Sequence, residues 1–301
     1  MLSILIPTYN YNVTALVKAL YQQCIDCEIK FEILVLDDGS NSNLNAENEK
    51  INQFNNCSFK ALRKNIGRTA TRGKLANMAK YDWFIFLDAD VLPKGKTFIK
   101  EYIEQTNFNN DVIYGGIAYD NNQFITKAQK LRWKYGRKYE QIKAQKRNSK
   151  PFKYIVSGNF LIKRSTFVKV NSKVDRKSYG LDNHFSVLLK QSGASVLHID
   201  NEVFHIGIDS NEVYLTKVEE AVNALLWLYH EKKGHEHENS LLLVFRSLKK
   251  NRINYILALF HKIFGEFMKI NLLSDNTSLN ILQLYKLSYM CYIDLKKSHN
   301  A

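Results

Sequence analysis

The sequence predicts an α/β protein with a mainly parallel sheet, helices on both faces, and an all-helical C-terminal region. Three observations carry that prediction. Residues 1–95 alternate short apolar runs with helix-like stretches. Each run ends in a polar turn, at the strand ends where such sheets bind ligands. From Glu212 onward only helix-like periodicity remains. The length of 301 residues suits one large α/β domain with an appendage, or two domains. With 45% hydrophobic and 24% charged residues, bulk disorder is excluded. The 13 Gly and 3 Pro exclude collagen-like and low-complexity classes. No run of about 18 uncharged apolar residues exists, so a spanning helix is not expected. MLSILIPTYN lacks a basic leader and a cleavage site, and reads as a first strand. Four Cys make no disulfide framework, so a reducing cytoplasm is the expected compartment.

The elements follow in order. Leu2–Ile6, Phe31–Leu36, Ser58–Leu62 and Trp83–Leu87 are β-branched or aromatic runs bounded by turn residues. Val13–Gln23, Asn45–Phe54 and Thr69–Lys80 lie between them with helical spacing. Near-continuous apolar strands alternating with helices imply a sheet covered on both faces. Further on, Val112–Ala118 reads as a strand and Thr126–Arg147 as one long basic helix. Tyr154–Ile162 reads as a strand interrupted at Ser157-Gly158-Asn159. Gly180-Leu181-Asp182-Asn183 opens a helix that Asp182 could cap, Ser195–Ile199 is a short strand, and Val203–His205 is extended. Four helices fill the tail, and a soft boundary falls near Ser210, giving regions 1–210 and 211–301.

Charge is uneven. Of the formal +14, residues Lys127 to Lys177 contribute 17 basic against two acidic side chains. Arg246 to Lys269 adds six basic residues against Glu266 alone. Such surfaces meet phosphate groups, nucleic acid or anionic lipid heads, or are simply solvated helix faces.

Two strand ends carry chemistry. Asp88-Ala89-Asp90 follows Phe84–Leu87, and carboxylates spaced i,i+2 there can both turn toward one cation. Oxygen ligands of this kind suit Mg²⁺ or Mn²⁺, completed by substrate phosphate and water. As isolated motifs, these aspartates read equally as turn or capping residues. Asp37-Asp38-Gly39-Ser40 likewise offers a carboxylate for a base N–H, or a helix-capping turn. Cys24-Ile25-Asp26-Cys27 has no second pair to complete a zinc site and sits at the end of an expected helix, so it reads as structural.

Taken together, Ile6-Pro7-Thr8-Tyr9-Asn10, Val35–Ser40, Asn65-Ile66-Gly67…Arg72 and Phe86-Leu87-Asp88-Ala89-Asp90 resemble the nucleotide-sugar half of family 2 glycosyltransferases, which have the GT-A fold. The order and spacing agree across residues 1–95. The resemblance implies a nucleotide-sugar half (1–95), an acceptor half (96–210) and a helical extension (211–301). It places Asp38 at the base, with Pro7, Thr8 and Tyr9 beside it. Asn65 and Arg72 approach the nucleotide. Asp88 and Ala89 lie along the donor, and Asp90 binds a metal bridging its diphosphate. The family shows a glycine followed by an acidic pair whose second carboxylate is the base. Tyr179-Gly180-Leu181-Asp182 departs from it with Leu in the first acidic position, and Asp182 aligns with the base. Gly158, Asn159 and Asn183 fall on the acceptor side. His205 corresponds to a histidine that completes the metal site in several relatives, so Asp88, Asp90 and His205 form the expected metal set, with Mn²⁺ or Mg²⁺ as cofactor.

The expected activity is inverting, metal-dependent transfer from a nucleoside-diphosphate sugar, UDP-linked by analogy, to a saccharide or lipid-linked saccharide, in cell-surface polysaccharide or glycan synthesis. A sugar nucleotidyltransferase is the alternative, although Pro7–Asn10 lacks that class's glycine-rich loop. A basic nucleic-acid-binding protein would need stacking aromatics on a sheet or a groove-reading element, and neither is evident. The basic tail helices could lie on an anionic membrane, at the inner face of the cytoplasmic membrane, pack on the catalytic domain, or form a homodimer. Trp133, Tyr135 and Tyr139, at helical spacing, read as core.

Overall fold

The computed structural model describes residues 1–172, 180–231 and 238–299. Tyr179 and the basic run's last members, Lys173, Arg176 and Lys177, with Asp175, lie outside the described residues. The chain divides into two compact units: Met1–Asn121 with Glu140–Lys177 and Leu188–Gly207, and Asn122–Tyr139 with Ser178–Val187 and Ile208–Ala301.

Among the described residues the first unit contains ten strands: β1 (Leu2–Thr8), β2 (Phe31–Asp37), β3 (Cys57–Ala61), β4 (Trp83–Leu87), β5 (Val91–Pro93), β6 (Val112–Tyr114), β7 (Ile117–Ala118), β8 (Asn159–Lys163), β9 (Val196–His198) and β10 (Val203–His205). Seven form a sheet in the order β3-β2-β1-β4-β8-β6-β9. Pairing is parallel except at β8, which runs antiparallel to both β4 and β6. A smaller sheet has the order β5-β10-β7. Strands β1 and β2 are buried along almost their whole length, as unbroken apolar runs require. Ser3 and Glu32 within them are satisfied internally: Ser3 donates to Glu32 at 2.6 Å, and the Lys80 amide donates to the same carboxylate at 2.5 Å. Helices Thr14–Asp26 and Arg68–Met78 are the crossovers from β1 and β3, covering the sheet with Leu16, Val17 and Leu20 in the first and Leu75 and Ala76 in the second.

Three expected elements come out differently. The strand expected at Val112–Ala118 breaks into β6 and β7 at Gly115-Gly116. Gly116 has φ +91°, and a Cβ on Gly115 would lie 2.3 Å from the Asn201 carbonyl oxygen. The strand expected from Tyr154 begins only at Asn159. The single helix expected over Thr126–Arg147 is a short 3₁₀ turn, a helix Lys130–Tyr139, a break, and a helix Ala144–Asn148. Competing partners explain the break. Glu140 accepts the Tyr119 hydroxyl, and Asp200 accepts the Ala144 amide at 2.7 Å, so the second helix starts afresh. Arg147, 3% exposed, donates to the carbonyls of Tyr114, Gly115 and Ile199 and braces the Gly115-Gly116 crossing.

The second unit is helical: Lys130–Tyr139, Asn211–His230, Ser240–Lys250, Asn254–Leu273 and Leu279–His299, with the first turns of Asp182–Gln191. Ser210 and Asn239 cap two of these helices through side-chain oxygens. Leu225, Leu226, Leu242, Phe245 and Met290 form one core cluster, and Leu131, Tyr214, Leu272 and Tyr285 anchor another. Among the described residues no helix is long and apolar enough to cross a membrane.

Candidate active site

The candidate site lies at the carboxyl ends of β1, β2 and β4. Asp37 closes its own turn, accepting the Ser40 amide at 2.9 Å and the Ser40 hydroxyl at 2.7 Å. Asp38 ties three loops together. Its amide donates to the Thr8 carbonyl at 2.9 Å, and its carboxylate accepts the amides of Ile66 at 2.7 Å and Gly67 at 2.9 Å. Gly39 allows this closeness: at φ +73°, a Cβ there would sit 2.4 Å from the Lys64 carbonyl carbon. Asp38, expected at the base, thus spends its side chain on positioning the Asn65–Gly67 loop. Tyr9, 52% exposed, and the Pro7–Thr8 backbone flank it at the end of β1.

Gly67 starts the helix Arg68–Met78 with φ +90°. Arg68 and Arg72 are four residues apart and share one helix face. Both reach Asp88, Arg68 at 2.6 Å to Oδ2 and Arg72 at 3.1 Å to Oδ1. Arg72 is buried, with its guanidinium 5.7 Å from the Phe86 ring centroid and 5.6 Å from that of Phe160, and it donates to the Ser157 carbonyl at 2.5 Å. Arg68 also donates to the Ser157 hydroxyl at 3.1 Å. Gly158 completes the cluster: its carbonyl accepts the Asp88 amide, and a Cβ on it would stand 3.0 Å from Asp88 Oδ2. Both stand in motifs that the sequence marks, Asn65–Arg68 and Ser157-Gly158-Asn159, but neither side chain is assigned a role there; the i,i+4 pairing of Arg68 with Arg72 was the available signal.

Asp90 has a different partner. Its Oδ2 lies 3.2 Å from His205 Nε2. The β5–β10 register pairs His205 with Val91, and the Ile206 amide donates to the Asp90 carbonyl at 2.9 Å. Gly207 packs against the carboxylate, where a Cβ would come within 2.5 Å of Asp90 Cβ and 2.7 Å of Oδ2. Burial alone would raise the Asp90 pKa, but His205's hydrogen bond and charge, and then Arg68's charge, outweigh it and hold the carboxyl below the usual range. The Tyr11 hydroxyl is shifted upward, first by burial and then by the negative charge of Asp90. Tyr11 is therefore a neighbour of the site that the sequence did not flag.

The structure thus divides the expected metal set. Asp90 and His205 come together, while Asp88 is engaged by two guanidinium groups. Among the described residues no cluster of three or more His, Cys, Asp or Glu side chains forms a metal cage. His205 Nδ1 is buried without a hydrogen-bond partner among the described residues. The Asp90 carboxylate and one ring nitrogen of His205 form a donor pair of a kind that suits a divalent cation, with the remaining positions left for donor oxygens and water.

Two acceptor-side expectations resolve differently. Asn159 is 1% exposed; its amide donates to the carbonyls of Gly116 and Asn201 at 2.9 Å and accepts the Tyr102 hydroxyl at 2.7 Å. That side chain braces the strands and presents no free polar atom, leaving Gly158 as the member of the pair beside Asp88. Asp182 and Asn183 belong to the second unit, in the first turn of Asp182–Gln191. Asn183 accepts from the Asn239 amide at 3.1 Å. The four cysteines are free thiols, and burial raises Cys24 and pushes Cys57 up to about 12.

A mostly parallel sheet with nucleotide-type turns at its strand ends, and an acidic tripeptide closing β4, defines a glycosyltransferase on the GT-A scaffold. The chain belongs to glycosyl transferase family 2, whose model matches residues 3–170. An uncharacterised glycosyltransferase of Mycoplasma genitalium is 27% identical over 217 residues, 68% of this chain and 66% of that protein. The match therefore spans just under two thirds of that relative's length. Among solved structures, S. aureus TarS (residues 1–349) aligns with TM-score 0.52 at 14% identity, covering 99% of this chain and 91% of that one. The mannosyltransferase PcManGT of Pyrobaculum calidifontis aligns with TM-score 0.57 at 10% identity, covering 99% and 87%. At such identities the likeness is one of fold.

Proposed function

We propose that this family 2 enzyme transfers a sugar from a nucleoside-diphosphate donor, UDP-linked by preference, to a saccharide or lipid-linked saccharide acceptor with inversion, in cell-surface glycan synthesis. The observation that carries the reading is the Asp90–His205 pair at 3.2 Å, set beside the Arg68/Arg72–Asp88 cluster at the carboxyl ends of the central strands. PcManGT is solved with GDP-Man and Mn²⁺, and TarS with UDP-GlcNAc, which supports a donor of this chemical class.

In this reading Asp90 and His205 hold Mn²⁺ or Mg²⁺. The ion, when bound, stabilises charge on the departing diphosphate. Asp38 keeps the Ile66 and Gly67 amides in place for the nucleotide, near Asn65 and the end of β1. Arg72 holds Asp88 at the donor side of the site. Asp182 serves as general base through its place in the Gly180-Leu181-Asp182 motif. The acceptor oxygen bonds to the anomeric carbon as its proton passes to Asp182, and the carbon–oxygen bond to the diphosphate breaks. Attack opposite the leaving group inverts the anomeric centre. The free thiols fit a cytoplasmic location.

The test is thermal shift with a nucleotide-sugar panel, with and without Mn²⁺, followed by detection of released nucleoside diphosphate. A Mn²⁺-dependent rise in melting temperature with one donor class is expected, because a ligand of the native state stabilises by mass action. No donor raising it would sink the reading. Near-normal turnover in Asp182→Asn would remove Asp182 as base while leaving the donor site standing.

A further inference from the structure

Helix Asn254–Leu273 is apolar on two opposite faces. Ala258, Gly265, Met268 and Leu272 turn inward and are buried. On the other side Ile256, Leu259, Ile263, Phe267 and Ile270 recur at spacings of three, four, four and three. All five are exposed, at 68%, 58%, 55%, 68% and 67%. At 100° per residue they form one narrow stripe, roughly 21 Å long at 1.5 Å rise per residue. Soluble monomers rarely expose a contiguous apolar patch of this kind. The stripe requires a covering surface.

The charges around it select the cover. Exposed Lys250 and Arg252 stand just before the helix, and exposed Lys262 flanks the stripe, with Glu266 the one acidic residue beside it. Beyond its C-terminal end, Lys134 donates to the Thr277 carbonyl at 3.0 Å and Lys127 pairs with Asp275 at 2.9 Å. These contacts fix the basic helix Lys130–Tyr139, with exposed Arg137 and Lys138 and no acidic residue, against the segment that follows the stripe. Lys250 and Arg252 thus stand before the helix that bears the apolar face, and Lys127 and Lys134 reach the segment after it. A second copy would bring the same cations together, and a chain of net charge +14 opposes such self-pairing. An anionic bilayer supplies apolar depth and negative charge together.

We infer that helix Asn254–Leu273 is an in-plane membrane anchor, its stripe sunk among the acyl chains of an anionic bilayer and its rim of Lys and Arg at the headgroups. It lies along the interface; it does not cross it. The inference stands on the second unit alone and is independent of the transferase reading.

The experiment is co-flotation of the full chain with vesicles of phosphatidylcholine alone and of phosphatidylcholine with about one third phosphatidylglycerol, at low and high salt. Analytical ultracentrifugation of the lipid-free protein accompanies it. Binding to the anionic vesicles at least about tenfold above neutral ones, weakened by salt, is expected. The double variant Ile263→Asp with Phe267→Asp should lose it at unchanged far-UV circular dichroism and Tm. Lys262→Gln with Arg252→Gln should lower it severalfold without touching the stripe. Equal binding to both vesicle types, or to neither, overturns the inference. So does a monomer–dimer equilibrium that the stripe variant abolishes, which would make the second copy the occupant.

Discussion

The carboxyl ends of β1, β2 and β4 and the outer face of helix Asn254–Leu273 treat their side chains in opposite ways. At the strand ends nearly every carboxylate is engaged: Asp37 by Ser40, Asp38 by two amides, Asp88 by two arginines, Asp90 by His205. On the helix, five large apolar side chains are each more than half exposed. Polar satisfaction fixes geometry, as catalysis demands. Unsatisfied apolar area implies a partner from outside. The largest effect is expected where the engaged group would do chemistry. Asp90→Asn keeps the shape but weakens the pairing with His205 and with a cation. Transfer should fall by about three orders of magnitude or more, with Tm nearly unchanged. Donor-saturated kcat with Mn²⁺ checks this, and residual activity above a tenth of the parent would detach Asp90 from the reaction.

Next comes a group engaged only for geometry. Asp38→Ala leaves the Ile66 and Gly67 amides without acceptors in a buried setting, at about 1–3 kcal/mol for an unsatisfied donor. The loss should appear in denaturant midpoints as well as in donor KM. An unchanged midpoint would show that water replaces the carboxylate and that Asp38 acts on ligand alone. Deeper in the same unit, His198 accepts Arg147 Nη1 on Nδ1 at 2.9 Å and lies 2.9 Å from the Pro151 carbonyl through Nε2. Arg147 can only donate, so Nε2 carries the proton and the ring is neutral. Burial first, then the charge of Arg147, against the Pro151 carbonyl, pushes its pKa down to about 4. The unfolded imidazole titrates near 6.5. Between those values the unfolded chain binds a proton that the native chain refuses. Stability from neutral His198 is therefore whole above about pH 6.5 and falls as pH drops toward 4, by about 2–4 kcal/mol. His198→Gln, which preserves an acceptor and a donor, should flatten this slope in denaturation at pH 7, 6 and 5.

Much of the donor side was legible in the sequence, because its signals are local. Each apolar run declares a strand, and each polar tetrapeptide after it occupies a known strand end. The failures are long-range. Nothing local to Lys143–Arg147 announces that Asp200 caps the Ala144 amide or that Arg147 braces Gly115 from 32 residues away. Asn159 looked like a ligand contact because its buried partners, Gly116 and Asn201, are distant in sequence. Asp88 and Asp90 looked equivalent at i,i+2. The chain turns after Leu87, and one faces two arginines while the other faces a strand more than 100 residues later. On helix Asn254–Leu273 periodicity revealed an apolar stripe and basic neighbours, but a helix with two apolar faces does not disclose from sequence which one is covered.

The two faces of that helix give the finest version of the contrast. Leu272 is fully buried and Ile263 is more than half exposed, nine residues apart on one element. Truncating the first to Ala removes packed methyl groups and leaves a cavity, at about 2–5 kcal/mol. Truncating the second removes atoms that touch mainly water, and its effect should stay within about 0.5 kcal/mol in lipid-free buffer. Urea midpoints of the two variants measure the difference directly. If Ile263→Ala proved as destabilising as Leu272→Ala, the stripe would be part of a folded interface already present in solution, and the outer face would no longer need a bilayer to explain it.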